Sequence, residues 1–229
     1  MTEPRDRLSP SFSFRPKRRQ EPPAQQPRDA RKAPSPSPSP APPPAQPPAT
    51  TPFGNLRQWA GSPKATLAVV FTDIVASTAL GNKIGNRAMD VLRRGHFEHV
   101  GRLAATHDGF VVKTMGDSVM VTFHAASDAL DFALAVHADP GDRRLRVRVG
   151  VHVGPVTVEE QDVHGATVNY AARVVAVPGN NGVWLSSEAK GHVDQEGATH
   201  QVALPWQTHS GLDLKGFVGK QILWSIGLR

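Results

Sequence analysis

Proline is very unevenly placed in this chain of 229 residues: 16 of its 21 prolines lie in residues 1–60. Proline fixes φ and has no backbone N–H, so a segment this rich in it builds neither helix interiors nor central strands. The stretch Pro34–Pro48, PSPSPSPAPPPAQPP, has almost nothing to bury. It cannot offset the entropy of ordering, and it favours extended polyproline II as a semi-rigid spacer. A packed fold must therefore come from residues 61–229, which suffice for one domain with a real core. Residues 1–60 are expected to form a disordered, basic Pro/Arg/Ser-rich tail. Within that tail, Phe53–Ala60 (FGNLRQWA) regains apolar residues and reads either as a segment packed on the domain or as a short helical lead-in.

Charge divides at the same place. Residues 1–60 carry 10 Lys/Arg and 4 Asp/Glu, whereas residues 61–229 carry 16 of each. The net charge of +6 thus belongs to the tail and says nothing about a ligand of the neutral body. The cluster Arg15–Arg19 (RPKRR) suits an acidic partner, with a solvated tail as the plainer reading. Phe12 and Phe14 are too sparse for a stacking platform, so nucleic acid is not expected as the main partner. The absence of cysteine excludes a disulfide scaffold and any Cys-ligated metal site. No apolar run approaches the roughly 18–20 residues of a membrane span. The charged, proline-rich N-terminus lacks a secretory h-region, and a cytoplasmic location is expected.

From Ala65 the texture changes. Ala65–Phe71 (ATLAVVF) is a continuous apolar run ending near Asp73, the pattern of a strand buried on both faces. Residues 76–106 have helical spacing, and Gly109 stops them. Phe110–Thr114 and Ser118–Phe123 read as strands around a tight turn at Met115–Gly116–Asp117. Ala125–His137 is helical, Leu145–Val156 a long strand, 164–176 a helix, Val183–Leu185 a strand and Ser186–Gly191 a short helix. Two strands near 209–215 and 220–226 close the chain. This order predicts an α/β or α+β domain with a mixed sheet. The ten histidines show no metal-ligand spacing; His96 and His99 read as helix-surface or interface residues.

Three segments carry chemistry. In Phe71–Thr78 (FTDIVAST) a buried strand ends at Asp73 and a helix follows, so a carboxylate able to hold a divalent cation precedes N–H groups able to meet phosphate. Ser77 and Thr78 also read as helix caps. In Lys113–Asp117 (KTMGD) a second aspartate sits in a hairpin turn, where an aspartate beside glycine is also common for structural reasons. If the two strands are neighbours, Asp73 and Asp117 can share a pair of metals, the arrangement used for phosphoryl and nucleotidyl transfer. In Asp162–Arg173, Asn169 and Arg173 are four apart and share a helix face. Their amide and guanidinium suit a ribose and a phosphate. Taken singly, Asp162 also reads as a helix cap and Arg173 as a surface ion pair.

Together these segments resemble the catalytic domain of class III nucleotidyl cyclases, from about Thr66 to Arg229. The family's two metal aspartates are 44 residues apart, as are Asp73 and Asp117. Its purine-selecting lysine lies four before the second aspartate, at Lys113. Its purine-selecting aspartate lies seven before the ribose-orienting asparagine, matching Asp162 and Asn169. The transition-state arginine follows four later, as Arg173. Arg148–Pro155 (RVGVHVGP) and Leu214–Gly216 also look like the family's later strands. Two departures stand out. Ser118 replaces the glycine common after the second aspartate, and the segment Ala135–Leu145 is short. A family lysine that touches triphosphate matches Lys215 or Lys220 without a choice between them.

The resemblance implies a ferredoxin-like mixed β-sheet with flanking helices. It implies cyclisation of a nucleoside triphosphate with two Mg²⁺ (or Mn²⁺) held by Asp73, Asp117 and the Ile74 carbonyl. It also implies a head-to-tail homodimer whose two sites each draw residues from both chains. For the base, a lysine donates only and an ionised aspartate accepts only, which matches adenine N1 and N6. Guanylate enzymes of the family usually carry glutamate and a small polar residue there. ATP is therefore the expected substrate. The alternatives are a cyclase for GTP or a pyrimidine triphosphate, and a non-catalytic nucleotide-sensing or dimerisation module.

Overall fold

The computed structural model describes residues 55–177, 179, 181–197 and 204–227. The proline-rich stretch and the RPKRR cluster lie outside the described residues. The element order is α1 (Leu56–Ala60), β1 (Lys64–Ile74), α2 (Ser77–Ile84), α3 (Asn86–Thr106), β2 (Phe110–Met115), β3 (Ser118–Phe123) and α4 (Ala126–Ala138). There follow β4 (Val147–Val158), β5 (Val163–His164), α5 (Ala166–Val175), β6 (Val183–Ser186), α6 (Ser187–Gln195), β7 (Trp206–Leu212) and β8 (Gln221–Ile226). Eight strands form one sheet in the order β2-β3-β1-β4-β6-β8-β7, with β5 paired to β4. Among the described residues, only the β4–β6 pair is parallel. The fold is thus the mixed α+β sheet with flanking helices.

β1 explains the architecture. It lies between β3 and β4, and its side chains enter two different cores. Ala68 and Val70 face α3, α4 and α6 in one core. Leu67, Val69 and Phe71 face α1 and α5 in the other. A strand covered on both sides needs apolar residues at every position, which is why this run does not alternate. β4 divides its residues by parity. Val147, Val149, Val151 and Val153 join the first core, and Val156 and Val158 the second. On that second face α5 packs against β4. A Cβ on Gly150 would lie 2.3 Å from the Val175 backbone nitrogen, and one on Gly154 2.7 Å from Thr167 Oγ1. Both glycines are needed for this close approach.

The structure departs from the sequence pattern at several ends. Residues 76–106 split into α2 and α3 at Gly85, whose φ of 87° is left-handed. α6 extends to Gln195, and β7 begins at Trp206, earlier than its spacing indicates. Leu56, Trp59 and Ala60 of α1 are buried in the second core, so this part of Phe53–Ala60 is a packed helix. His96 is not a surface residue. It is buried, and its Nδ1–H donates to the Pro140 carbonyl at 2.9 Å, while Nε2 has no partner among the described residues. His99 also reaches across, to the Asp139 carbonyl at 3.0 Å. Among the described residues, no helix is long and apolar enough to cross a membrane.

Two predictions follow from this packing. Gly150→Ala forces backbone apart and should lower stability by about 1–3 kcal/mol in urea denaturation; an unchanged midpoint would refute the close approach. Burial also pushes His96 and His152 below their ordinary pKa. The unfolded chain then binds protons that the folded chain rejects, so stability present above about pH 6.5 is lost as pH falls. The slope is bounded by about 1.4 kcal/mol per pH unit for each histidine, and His96→Asn should make it shallower in melts between about pH 7.5 and 5.5.

Candidate active site

By strand register Asp73 and Lys113 lie on the α5 face of the sheet, while Ile74 packs against α2 and α3 and Asp117 pairs with Arg93 of α3. Asp73, the penultimate residue of β1, lies on the same side as Phe71, and its register partners are Ser118 on β3 and Arg148 on β4. Both partners bind it. Ser118 Oγ donates to Asp73 Oδ1 at 2.8 Å, and Arg148 donates to Oδ2 from Nε at 2.9 Å and Nη2 at 2.6 Å. Asp117 sits in the β2–β3 turn directly before Ser118, with Gly116 in the left-handed region. Arg93 of α3 donates from Nε to Asp117 Oδ1 at 2.6 Å and also pairs with Asp90 at 2.9 Å. The strand ends thus bring the two aspartates to neighbouring positions, each neutralised by an arginine. Ile74 is buried among Met89, Leu92 and Leu145 as the last residue of β1.

Sequence reasoning did not identify Arg93, Arg148 or Ser118 as parts of this site. Arg148 was visible only as the first letter of a strand motif. Ser118 was noted as a departure from glycine, and its hydroxyl proves to hold Asp73. Arg93 lies 24 residues before Asp117 on a helix, a pairing that only packing creates.

A β-bulge positions the second group. β2 and β3 shift register between Val111 and Lys113, so Val111 pairs with Val121 while Lys113 pairs with Met120. Val112 and Met120 both belong to the second core, so the extra residue turns Lys113 onto that same face. There Lys113 Nζ donates to Asp162 Oδ2 at 2.5 Å. Asp162 Oδ1 accepts from the Val163 N–H at 2.8 Å. Asp162 is therefore no helix cap; Gly165, with φ 135°, stands at the N-cap of α5.

Asn169 and Arg173 stand on the exposed side of α5. The other side is anchored by Tyr170, Ala171, Val174 and Val175. Tyr170 stacks on His152 at 4.2 Å and donates its hydroxyl to Gln221 Oε1 at 2.9 Å. Burial raises its pKa to about 12, so it stays a donor at all physiological pH. Val168 and Ala172 are partly buried against the second core. Lys220 is paired with Asp213 at 2.6 Å and Lys215 is exposed.

A cleft of about 340 Å³ opens beside Asp117, lined by Ser77, Thr78, Asn82, Asp90 and Arg93 among others. It lies at the start of α2. Neither Ser77 nor Thr78 caps that helix; its first turn is led by Ala76, with φ 54° and no side-chain cap.

These features place the chain in a family. A model of the adenylate and guanylate cyclase catalytic domain matches residues 61–221, and the chain belongs to that family. Its domains generally use divalent metal ions, bind a nucleotide substrate and typically dimerise. Among curated relatives, a putative adenylate cyclase 3 of Rhizobium meliloti is 32% identical over 127 residues, covering 52% of this chain and 22% of the relative. An adenylate cyclase of Streptomyces coelicolor is 33% identical over 123 residues, covering 53% and 32%. The chain thus spans less than a third of either relative's length. Among solved structures, the adenylyl cyclase CyaB of P. aeruginosa superposes with a TM-score of 0.62 at 20% identity, covering 72% of this chain and 95% of that one. The catalytic core of a rhodopsin-guanylyl cyclase with converted specificity, in complex with ATPαS, gives 0.62 at 21% identity, covering 71% and 96%.

The turn after Asp73 yields a test. A non-glycine residue in the left-handed region costs about 1–2 kcal/mol, part of which glycine returns through a more disordered unfolded state. Ala76→Gly should therefore stabilise the domain by about 0.5–1 kcal/mol in chemical denaturation. A loss of stability would show that the turn is not strained.

Proposed function

We propose that this chain is an adenylate cyclase, converting ATP to 3′,5′-cyclic AMP and pyrophosphate at sites shared between two copies. The observation that carries this reading is the Lys113–Asp162 ion pair, 2.5 Å long, on the sheet face that also bears Asp73. A donor-only ammonium beside an acceptor-only carboxylate matches adenine, which accepts at N1 and donates at N6. Guanine reverses both, so each side chain would lose its partner, and such unpaired polar groups discriminate strongly.

The donor set fits divalent cations. Asp73 and Asp117 supply hard carboxylate oxygens, and the Ile74 carbonyl a third oxygen. Among the described residues, no group of three or more His, Cys, Asp or Glu is placed to hold a metal. Mg²⁺ suits so sparse a set, because it commonly uses one or two carboxylates together with water and substrate phosphates. Bound there, such ions would lower the pKa of the 3′-hydroxyl and balance the triphosphate charge. Arg93 and Arg148 hold the two carboxylates in place through their hydrogen bonds.

The remaining chemistry belongs to side chains of the partner copy in this reading. Asn169 holds the ribose so that O3′ is aimed at the α-phosphorus, an orientation effect. The new O3′–P bond forms as the bond to the bridging oxygen breaks. The 3′-hydroxyl proton is released, and pyrophosphate leaves with the bond electrons. Arg173 neutralises charge developing on the α-phosphoryl oxygens; loss of such a donor typically costs about 10²–10³ in rate. The cleft beside Asp117, at the start of α2, has the polar lining that suits the β- and γ-phosphates. A chain holding both half-sites closes them in a head-to-tail two-fold dimer.

Incubation of the purified chain with ATP, GTP, CTP and UTP plus Mn²⁺, read by mass spectrometry, should give cyclic AMP as the dominant product. Another cyclic nucleotide would overturn the base reading alone. Asp73→Ala and Arg173→Ala should each abolish activity, and mixing them should restore about a quarter of the wild-type rate, since random pairing yields half heterodimers with one intact site each. No recovery in confirmed dimers would refute the shared site.

A further inference from the structure

Helix α1 joins the two elements that carry the ion pair of the base site. On one side, Trp59 packs on Phe110 of β2 with ring centroids 5.7 Å apart, and stacks on His124 at 4.1 Å. His124 Nε2–H also donates to the Trp59 carbonyl at 3.2 Å. Phe110 lies three residues before Lys113 on the same strand. On the other side, the Leu56 N–H donates to the Glu160 carbonyl at 3.1 Å, and the Pro63 carbonyl accepts from Val158 N–H at 2.9 Å. Glu160 lies in the turn before Asp162, closed by a bond from Glu159 N–H to the Asp162 carbonyl at 2.8 Å. Leu56, Trp59, Val158, Val163, Phe110 and Val112 share one apolar core. Asn55 starts the helix, its side chain accepting from Gln58 N–H at 2.8 Å.

We infer that α1 is a strut that sets the distance between Lys113 and Asp162, with Leu56 and Trp59 as positioning residues for base selection. Neither touches the ion pair. They act through β2 and through the 158–163 turn, which meet across α1 on the rim of the sheet. Lys113 and Asp162 come from segments far apart in sequence, and both are part-exposed, so their own bond is weakly held in water. The apolar contacts of α1 supply the rigidity that a surface ion pair lacks. The inference rests on the adenine reading of that pair.

The test uses the full chain. Trp59→Ala should raise KM for ATP and lower the ATP-to-GTP ratio of kcat/KM, each by about tenfold, with kcat changed by less than about threefold. Trp59→Phe should restore both. Hydrogen exchange should quicken at the amides of 158–163 in Trp59→Ala and not in the core strand β1. Should Trp59→Ala fail to fold, Asn55→Ala, which removes only the cap, should show the same changes at smaller size. Unchanged selectivity and unchanged exchange in a folded variant would overturn the strut. If the wild-type chain forms no cyclic AMP, the adenine reading fails by itself. Exchange at 158–163 then decides the strut: faster exchange in Trp59→Ala upholds it, and unaltered exchange refutes it.

Discussion

Everything in this domain is arranged around one strand that is covered on both faces. β1 has neighbours on either edge and a core on either side, so each of its residues from Leu67 to Phe71 is out of water. At roughly 1.5–3 kcal/mol for each large apolar side chain buried, such a strand is a concentrated source of stability in the sheet. It has no freedom to slide, because a shift of one residue would exchange its two faces between cores of different shape. Its C-terminal end is thereby a fixed point, and Asp73 stands on it.

The site is assembled by how other elements meet this fixed point. β3 and β4 flank β1, which brings Ser118 and Arg148 to Asp73 from opposite sides. The β2–β3 turn sets Asp117 beside Ser118. α5 is held against β4 by the two glycines that allow close contact with Val175 and Thr167, and by Tyr170 on its inner side. The outer side of α5 is left to present Asn169 and Arg173. The result is a sheet face that carries Asp73 and the lysine–aspartate pair, Asp117 in the adjoining turn, and an exposed amide and guanidinium on the outer side of α5. Each carboxylate already has a cationic partner in Arg93, Arg148 or Lys113, so no bare charge is buried.

The sequence by itself determined much of this. The unbroken apolar run predicts a doubly covered strand, since only burial on both faces removes the need for polar alternation. Glycine and proline mark the main breaks between elements, because their backbone limits act locally. The spacings of Asp73, Lys113, Asp117, Asp162, Asn169 and Arg173 are likewise legible, since a family's chemistry fixes residue type and interval together. Tertiary structure alone decided what those residues touch. The bulge at Val112 that turns Lys113 onto the α5 face depends on pairing with β3, and strict alternation would have put it on the other side. Arg93 reaches Asp117, His96 is buried against Pro140, and α1 bridges β2 to the turn before Asp162, all through contacts between distant segments. Local propensity carries no information about such meetings, because they are selected by the burial of shared apolar surface rather than by any one segment's own preferences.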